Sequence, residues 1–168
     1  MIIFKNKPDT TTPVNAGNLN ANFEECKNKS AILVALSANA ELTAPAAWTN
    51  LYIPFNTTIY KVGNRFNLES DGGVSVGSNV TGIKVTFYYQ LAEDCSQSIY
   101  GRIYDIKAGV LSRYNGSIQK TTDRFMISHG LLNATDSNKI YGSIISSGAS
   151  TIKIKGADMY TYMLVEEL

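Results

Sequence analysis

One histidine, fourteen carboxylates and two cysteines are the side chains of this 168-residue chain that could carry acid–base, nucleophilic or metal chemistry. His129 is the sole histidine, so any Ser–His–Asp or Cys–His scheme must pass through it. It falls in a stretch where Phe125, Ile127, His129 and Leu131 alternate onto one face of a strand. An apolar strand face holds a packed or interfacial histidine. In a trimer, three copies meeting near the axis would offer the alternative of an anion or metal site. The paired carboxylates Glu24-Glu25, Glu93-Asp94 and Glu166-Glu167 are neighbours in sequence. None proposes the facing pair, roughly 5 to 10 Å apart across a cleft, that a glycosidase needs. Asp71-Gly72-Gly73 lacks the alternating acids of a calcium loop and reads as a turn. Glycine-rich phosphate loops and Cys-x-x-Cys motifs are absent. The expectation is a protein that is not an enzyme, with no catalytic residue, no metal and no cofactor.

The aromatic residues point elsewhere. Ten tyrosines and one tryptophan supply large apolar bodies with polar tips, the chemistry of interfaces and of sugar faces. Tyr160 and Tyr162 share a face of the last predicted strand, with Leu164 next, and Tyr100 and Tyr104 flank Arg102. Tyr88, Tyr160 and Tyr162 are assigned to an interface between copies, with ordinary core packing as the alternative. Trp48 follows Pro45 in a loop near Asn50 and Tyr52. Trp48 and Tyr52 are the ligand-binding candidates, where a saccharide could stack, the alternative for Trp48 being a loop anchor on the sandwich edge.

Bulk properties exclude some partners. Net charge is +1 and the Lys and Arg residues are scattered, so a phosphate backbone finds no cationic face and nucleic acid is not expected. No stretch approaches the ~18 apolar residues of a membrane span, so no membrane insertion is expected. Met1-Ile2-Ile3-Phe4-Lys5 does not read as a secretory signal. Folding in a cytoplasm is therefore expected, with Cys26 and Cys95 as free thiols. The five Asn-X-Ser/Thr triplets, at 28, 56, 79, 115 and 133, are chance products of an Asn-, Ser- and Thr-rich chain.

The elements that must position these residues follow from hydrophobic period. Pro8 and Pro13 keep residues 1–14 extended. Asn15 caps a predicted helix over 16–28, whose seam of Leu19, Phe23 and Cys26, continuing to Ser30 and Leu33, has heptad spacing for two repeats. So short a helix must dock on the body or on copies of itself, which makes Leu19 and Phe23 trimer-interface candidates alongside Tyr88, His129, Tyr160 and Tyr162. From residue 31 the period changes to two. Strands are predicted at 32–42, 51–55, 59–62, 65–69, 74–76, 83–91, 99–107, 110–114, 124–132, 139–146, 151–154 and 159–166, broken by Gly-, Asn- and Asp-rich turns. That pattern predicts an all-β antiparallel jelly-roll sandwich over 31–168, preceded by a leader and short N-terminal helix over 1–30 for attachment or trimerisation.

Two parts of the chain resemble known proteins. The leader Thr12-Pro13-Val14-Asn15-Ala16-Gly17-Asn18-Leu19-Asn20 resembles the TP-(I/V/L)-NA-x-NLN segment near the start of many bacteriophage tail and baseplate proteins. The body is similar to the trimeric jelly-roll heads at the tips of phage fibres, which share their layout with the tumour-necrosis-factor and complement globular families. The matching pieces are Tyr60-Lys61-Val62-Gly63-Asn64-Arg65-Phe66, Asp71-Gly72-Gly73-Val74-Ser75-Val76-Gly77, Val80-Thr81-Gly82-Ile83-Lys84-Val85-Thr86-Phe87 and the close Tyr160-Thr161-Tyr162-Met163-Leu164-Val165-Glu166-Glu167-Leu168. The resemblance implies a homotrimeric virion component of tail-fibre, receptor-binding type. Its expected partners are a host-surface saccharide or other virion proteins. A head-decoration or baseplate adaptor with a purely structural role is the alternative, and a polysaccharide-degrading enzyme a more distant one.

Overall fold

The computed structural model describes residues 29–113, 117–132, 139–157 and 159–168. The predicted helix, with Leu19, Phe23 and Cys26, lies outside them. The described chain is built of antiparallel strands: β1 (Ala31–Ala35), β2 (Ala40–Ala44), β3 (Leu51–Tyr52), β4 (Thr57–Val62), β5 (Phe66–Leu68), β6 (Val74–Val76), β7 (Gly82–Tyr89), β8 (Ile99–Asp105), β9 (Gly109–Arg113), β10 (Phe125–Leu132), β11 (Lys139–Ser146), β12 (Ser150–Ile154) and β13 (Tyr162–Glu167).

One sheet runs β10-β7-β13-β1-β4 and a second runs β5-β6-β11-β8-β9, with β3 also beside β11. The two lie face to face over one core, as expected of a jelly-roll sandwich. Period-two alternation explains the choice of faces. In β7, Ile83, Val85, Phe87 and Tyr89 are buried, while Lys84, Thr86 and Tyr88 point outward.

The core is aromatic at its centre. Phe87 stacks near Tyr89 at 5.5 Å between centroids, Tyr89 lies 4.7 Å from Phe125, and Phe55 meets Phe87 edge-on at 6.2 Å. The facing sheet admits these rings by offering glycine. A Cβ on Gly142 would stand 2.6 Å from the Phe87 ring, and one on Gly101 would collide with the ring of Phe125. Burial holds the Tyr89 phenol well above its usual titration range, and its hydroxyl donates to the Ile99 carbonyl oxygen at 3.3 Å.

Two expectations about elements need correction. The stretch 32–42 alternates as if it were one strand, but the chain leaves the first sheet after Ala35. It re-forms as β2, which pairs with β12 in a separate two-stranded sheet. The break is stabilised by the Leu36 amide donating to the Thr161 carbonyl and the Ser37 amide donating to Asn56 Oδ1. The last strand starts at Tyr162 rather than 159, because Ala157 and Met159 adopt positive φ and the chain turns there.

Candidate functional site

Each sheet turns one face to the core, which leaves two outward faces available for function. On the five-stranded sheet, cross-strand register lines up the outward side chains in rows. One row places Met126, Tyr88 and Tyr162 side by side, the next Ser128, Thr86, Leu164, Leu33 and Tyr60, the third Lys84, Glu166, Ala31 and Val62. Tyr88 and Tyr162 stack at 5.2 Å with their planes 17° apart, and Arg124 donates to the Tyr88 hydroxyl at 2.9 Å. That hydrogen bond is the largest cause raising the guanidinium's pKa. Met126 is 62% exposed and Tyr60 is 55% exposed. Ile59, the residue skipped where β4 bulges against β1, is also exposed. This is an apolar, tyrosine-bearing sheet face with the Arg124 guanidinium at the Tyr88 hydroxyl and one charged row, Lys84 and Glu166, whose Nζ and Oε2 are 3.8 Å apart.

The other sheet carries an aromatic strip. Outward residues of β11, namely Tyr141, Ser143 and Ile145, are buried although they point away from the core. They lie beneath rings supplied by β3, β8 and the loop before β3. Tyr52 lies 4.5 Å from Tyr141 and 5.4 Å from Tyr104, and Trp48 lies 5.6 Å from Tyr100 at a 36° tilt. Arg102 is opposite Ser143, which is opposite Tyr52. Ser143 Oγ donates to Asn50 Oδ1 at 3.3 Å. Burial is the largest cause raising the Tyr52 phenol; a hydrogen bond with Tyr104 adds to it and one with Asn50 opposes it. At the strip's end, Asp71 accepts from Lys139 Nζ at 2.6 Å, from the Tyr141 hydroxyl at 2.9 Å and from the Gly73 amide at 3.1 Å. The Lys139 bond is the main reason the Asp71 carboxyl is held below the usual carboxylate range, and it raises Lys139 in turn. For Tyr141, burial is the larger cause of a raised pKa.

Trp48 is unlike the other aromatics of the strip. It is 58% exposed and sits at φ 64°, a left-handed conformation. Holding a bulky residue there costs on the order of 1–3 kcal/mol. The loop is fixed by the Trp48 amide donating to the Ser146 carbonyl at 2.7 Å and by Thr49 Oγ1 donating to the Ala46 carbonyl at 2.9 Å.

The structure separates the residues singled out from the sequence into groups. Tyr88 and Tyr162 meet on the outward face of the five-stranded sheet. His129 is opposite Val85 on the inward side of the same sheet, half-buried behind Phe125 and Ile127, so it does not join them. Tyr160 precedes β13, and its ring receives the Lys155 ammonium at 3.7 Å from its centroid. Trp48 and Tyr52 both belong to the aromatic strip. Sequence reasoning did not find Leu33, Tyr60 or Met126, which reach the first face only through the β1–β4 and β7–β10 pairings. Tyr100, Tyr104 and Tyr141 were equally unassigned as partners of Trp48 and Tyr52. Glu93 pairs with Lys153 at 2.8 Å and Asp94 with Lys120 at 3.1 Å, both at the surface. Among the described residues no group of three His, Cys, Asp or Glu side chains converges as a metal site, and no helix is long and apolar enough to cross a membrane.

No protein-family model matches the chain, and no curated protein matches it in sequence. Solved structures do match. Murine APRIL at pH 8.5 superposes with a TM-score of 0.63 at 10% identity, covering 83% of this chain and 99% of that one. The vertex protein P5 of PRD1 superposes with a TM-score of 0.55 at 13% identity, covering 84% and 97%. The fold is the tumour-necrosis-factor-like jelly roll. Identities this low establish the fold alone. Within that TNF-like frame, the sheet with the apolar outward face is β10-β7-β13-β1-β4, and the aromatic strip lies on the opposite side of the sandwich.

Proposed function

We propose that this chain is a bacteriophage virion structural protein of the tail-fibre, receptor-binding type. It assembles as a homotrimer and attaches to a host-surface glycan or to another virion protein. The observation that carries the reading is the outward face of the five-stranded sheet. A contiguous apolar surface of Leu33, Tyr60, Tyr88, Met126, Tyr162 and Leu164 on a monomer marks a protein contact, and tyrosine and methionine are enriched at such contacts. Three sister sandwiches packing through this face would bury it and leave the aromatic strip facing outward. Binding is non-covalent and multivalent, three modest sites giving avidity, and the chain is not an enzyme. It is made in the bacterial cytoplasm and ends in the virion, attached there by the leader over residues 1–30. The phage vertex position printed for PRD1 P5 supports a virion role, and it also favours a second reading: a structural vertex or decoration protein with no receptor site.

Native mass spectrometry at micromolar concentration tests the assembly. Three copies of the 18.3 kDa chain are expected in one particle. A monomer at that concentration would refute the homotrimer.

A further inference from the structure

We propose that the aromatic strip on the outward face of the β5-β6-β11-β8-β9 sheet is a saccharide-binding site, with Trp48 and Tyr100 as the stacking platform and Asn50, Arg102 and the Asp71–Lys139 pair as its polar rim. The proposal rests on the reading of the chain as an attachment protein and names the ligand class and the residues of that attachment.

Three observations carry it. The first is shape. Tyr100 and Tyr104 are spaced along β8 by four residues, about 13 Å, and Tyr52 and Tyr141 lie beside Tyr104. Trp48, Tyr100, Tyr52 and Tyr104 are spread along the outward face with the buried Tyr141 beneath them, an extended row that suits consecutive pyranose rings whose C–H faces lie on aromatic π-faces.

The second is what Trp48 does not do. Tyr52 and Tyr104 each shelter β11, but Trp48 keeps more than half of its surface in water while its backbone is held in the left-handed region. A ring needed only to cover β11 would be more deeply buried. An exposed indole on a strained backbone that is held by its own amide on Ser146 and by the adjoining Thr49–Ala46 bond is arranged to present its face.

The third is charge. The Asp71 carboxylate and the Lys139 ammonium neutralise one another, and both they and Asn50 are hydrogen-bonding groups. With the single Arg102 guanidinium added, the rim has donors and acceptors but no cluster of cations, which complements a polyhydroxylated, uncharged ligand. It offers no basic surface of the sort a polyanion requires. In a trimer closed through the opposite sheet, three such rows face outward, away from the buried contact.

Trp48 is the sole tryptophan of the chain, so its fluorescence reports on this site alone. The full-length protein is applied to an array of purified neutral bacterial O-chain and capsular glycans, with anionic wall-teichoic glycans as the contrast that should not bind. The strongest-binding oligosaccharide is then titrated into the protein while indole emission is followed. The expected result is array binding, a saturable emission shift in the wild-type protein and, by isothermal titration calorimetry of wild type and variants alike, a loss of affinity of at least tenfold in Trp48→Ala and in Tyr100→Ser. Trp48→Phe, which keeps a stacking ring, should retain most of the binding, and thermal unfolding confirms that each variant is folded. Absence of glycan binding by the wild-type protein overturns the proposal, as does binding that survives Trp48→Ala undiminished. The outcome is separable from the assembly reading. A trimer that binds no glycan refutes this site and leaves the homotrimer, whereas a monomer that binds through Trp48 refutes the homotrimer and leaves the site.

Discussion

Substituting Gly101 by alanine tests how the two sheets are held at their working separation. Gly101 lies on the inward side of β8, and an added methyl would collide with the fully buried ring of Phe125. That ring cannot simply retreat, because Tyr89 lies 4.7 Å and Phe87 6.0 Å from it. Overpacking of this kind costs about 1–3 kcal/mol, and a confined ring places Gly101→Ala in the upper half of that range. Replacing glycine by alanine within a strand recovers roughly 0.5–1 kcal/mol of chain entropy. A net loss of about 1–2.5 kcal/mol remains. For a chain of this size that lowers the melting temperature by about 2–10 °C. The comparison variant is Gly130→Ala on β10, where a Cβ meets nothing within 4 Å. It should melt at the wild-type temperature or slightly above. Thermal and urea unfolding followed by circular dichroism, at one fixed protein concentration, measure both. Phe125→Leu in the Gly101→Ala background should recover at least ~1 kcal/mol relative to the sum of the single changes, since the two side chains compete for one space. If Gly101→Ala melts within a degree of wild type, or the double variant is simply additive, the proposed packing of the sheets is wrong.

Three further outcomes are expected. Leu164→Lys places a charge at the centre of the apolar sheet face without touching the core, so the monomer should stay folded while native mass spectrometry loses the trimer at micromolar concentration; an intact trimer would move the interface elsewhere. Asp71→Asn removes the partner of Lys139 and Tyr141. Because the folded-state pKa of Asp71 is depressed, chiefly by the Lys139 bond, its contribution is present above the ordinary value of 3.8 and is lost as pH falls through the lowered one. The pair is half-exposed, so the loss at pH 7 should be no more than about 0.5–1 kcal/mol and should vanish in strong acid, as paired denaturation curves at pH 7 and pH 2 would reveal. Glu167→Gln weakens a nearly buried carboxylate that pairs with Arg65 and accepts from the Ser30 amide at 2.9 Å. A loss of about 1.5–3 kcal/mol is expected by urea titration, and a neutral result would mean that the end of β13 is not anchored there.

Local period was enough to place most strands. In β7 the alternation of Ile83, Val85 and Phe87 with Lys84, Thr86 and Tyr88 also matches the buried and outward faces, because burial on one side leaves a mark on every second residue. It failed at 32–42, where alternation continues smoothly through a change of sheet. Partner choice there depends on β12, which is more than a hundred residues away, and period carries no record of partners. His129 shows the same division. Its apolar face was legible from Phe125 and Ile127, but that face is the inward one, on the other side of the sheet from Tyr88 and Tyr162. Tyr160 looked continuous with Tyr162 because two-residue spacing persists, whereas positive φ at Ala157 and Met159 bends the chain before β13 begins.

The candidate surfaces depended still more on long-range pairing. Tyr52 and Tyr141 are eighty-nine positions apart yet meet at 4.5 Å, and Trp48 reaches Tyr100 only because its amide is tied to Ser146 at the end of β11. Alternation, turn residues and the scarcity of titratable groups were enough for an antiparallel β-sandwich and for the expectation of binding rather than catalysis, since both rest on residue type and near-neighbour spacing. Which tyrosines form the sheet face and which form the strip was decided by strand order and register. Those are set when the two sheets close over the aromatic core, a free-energy balance to which every strand contributes and which no single segment encodes.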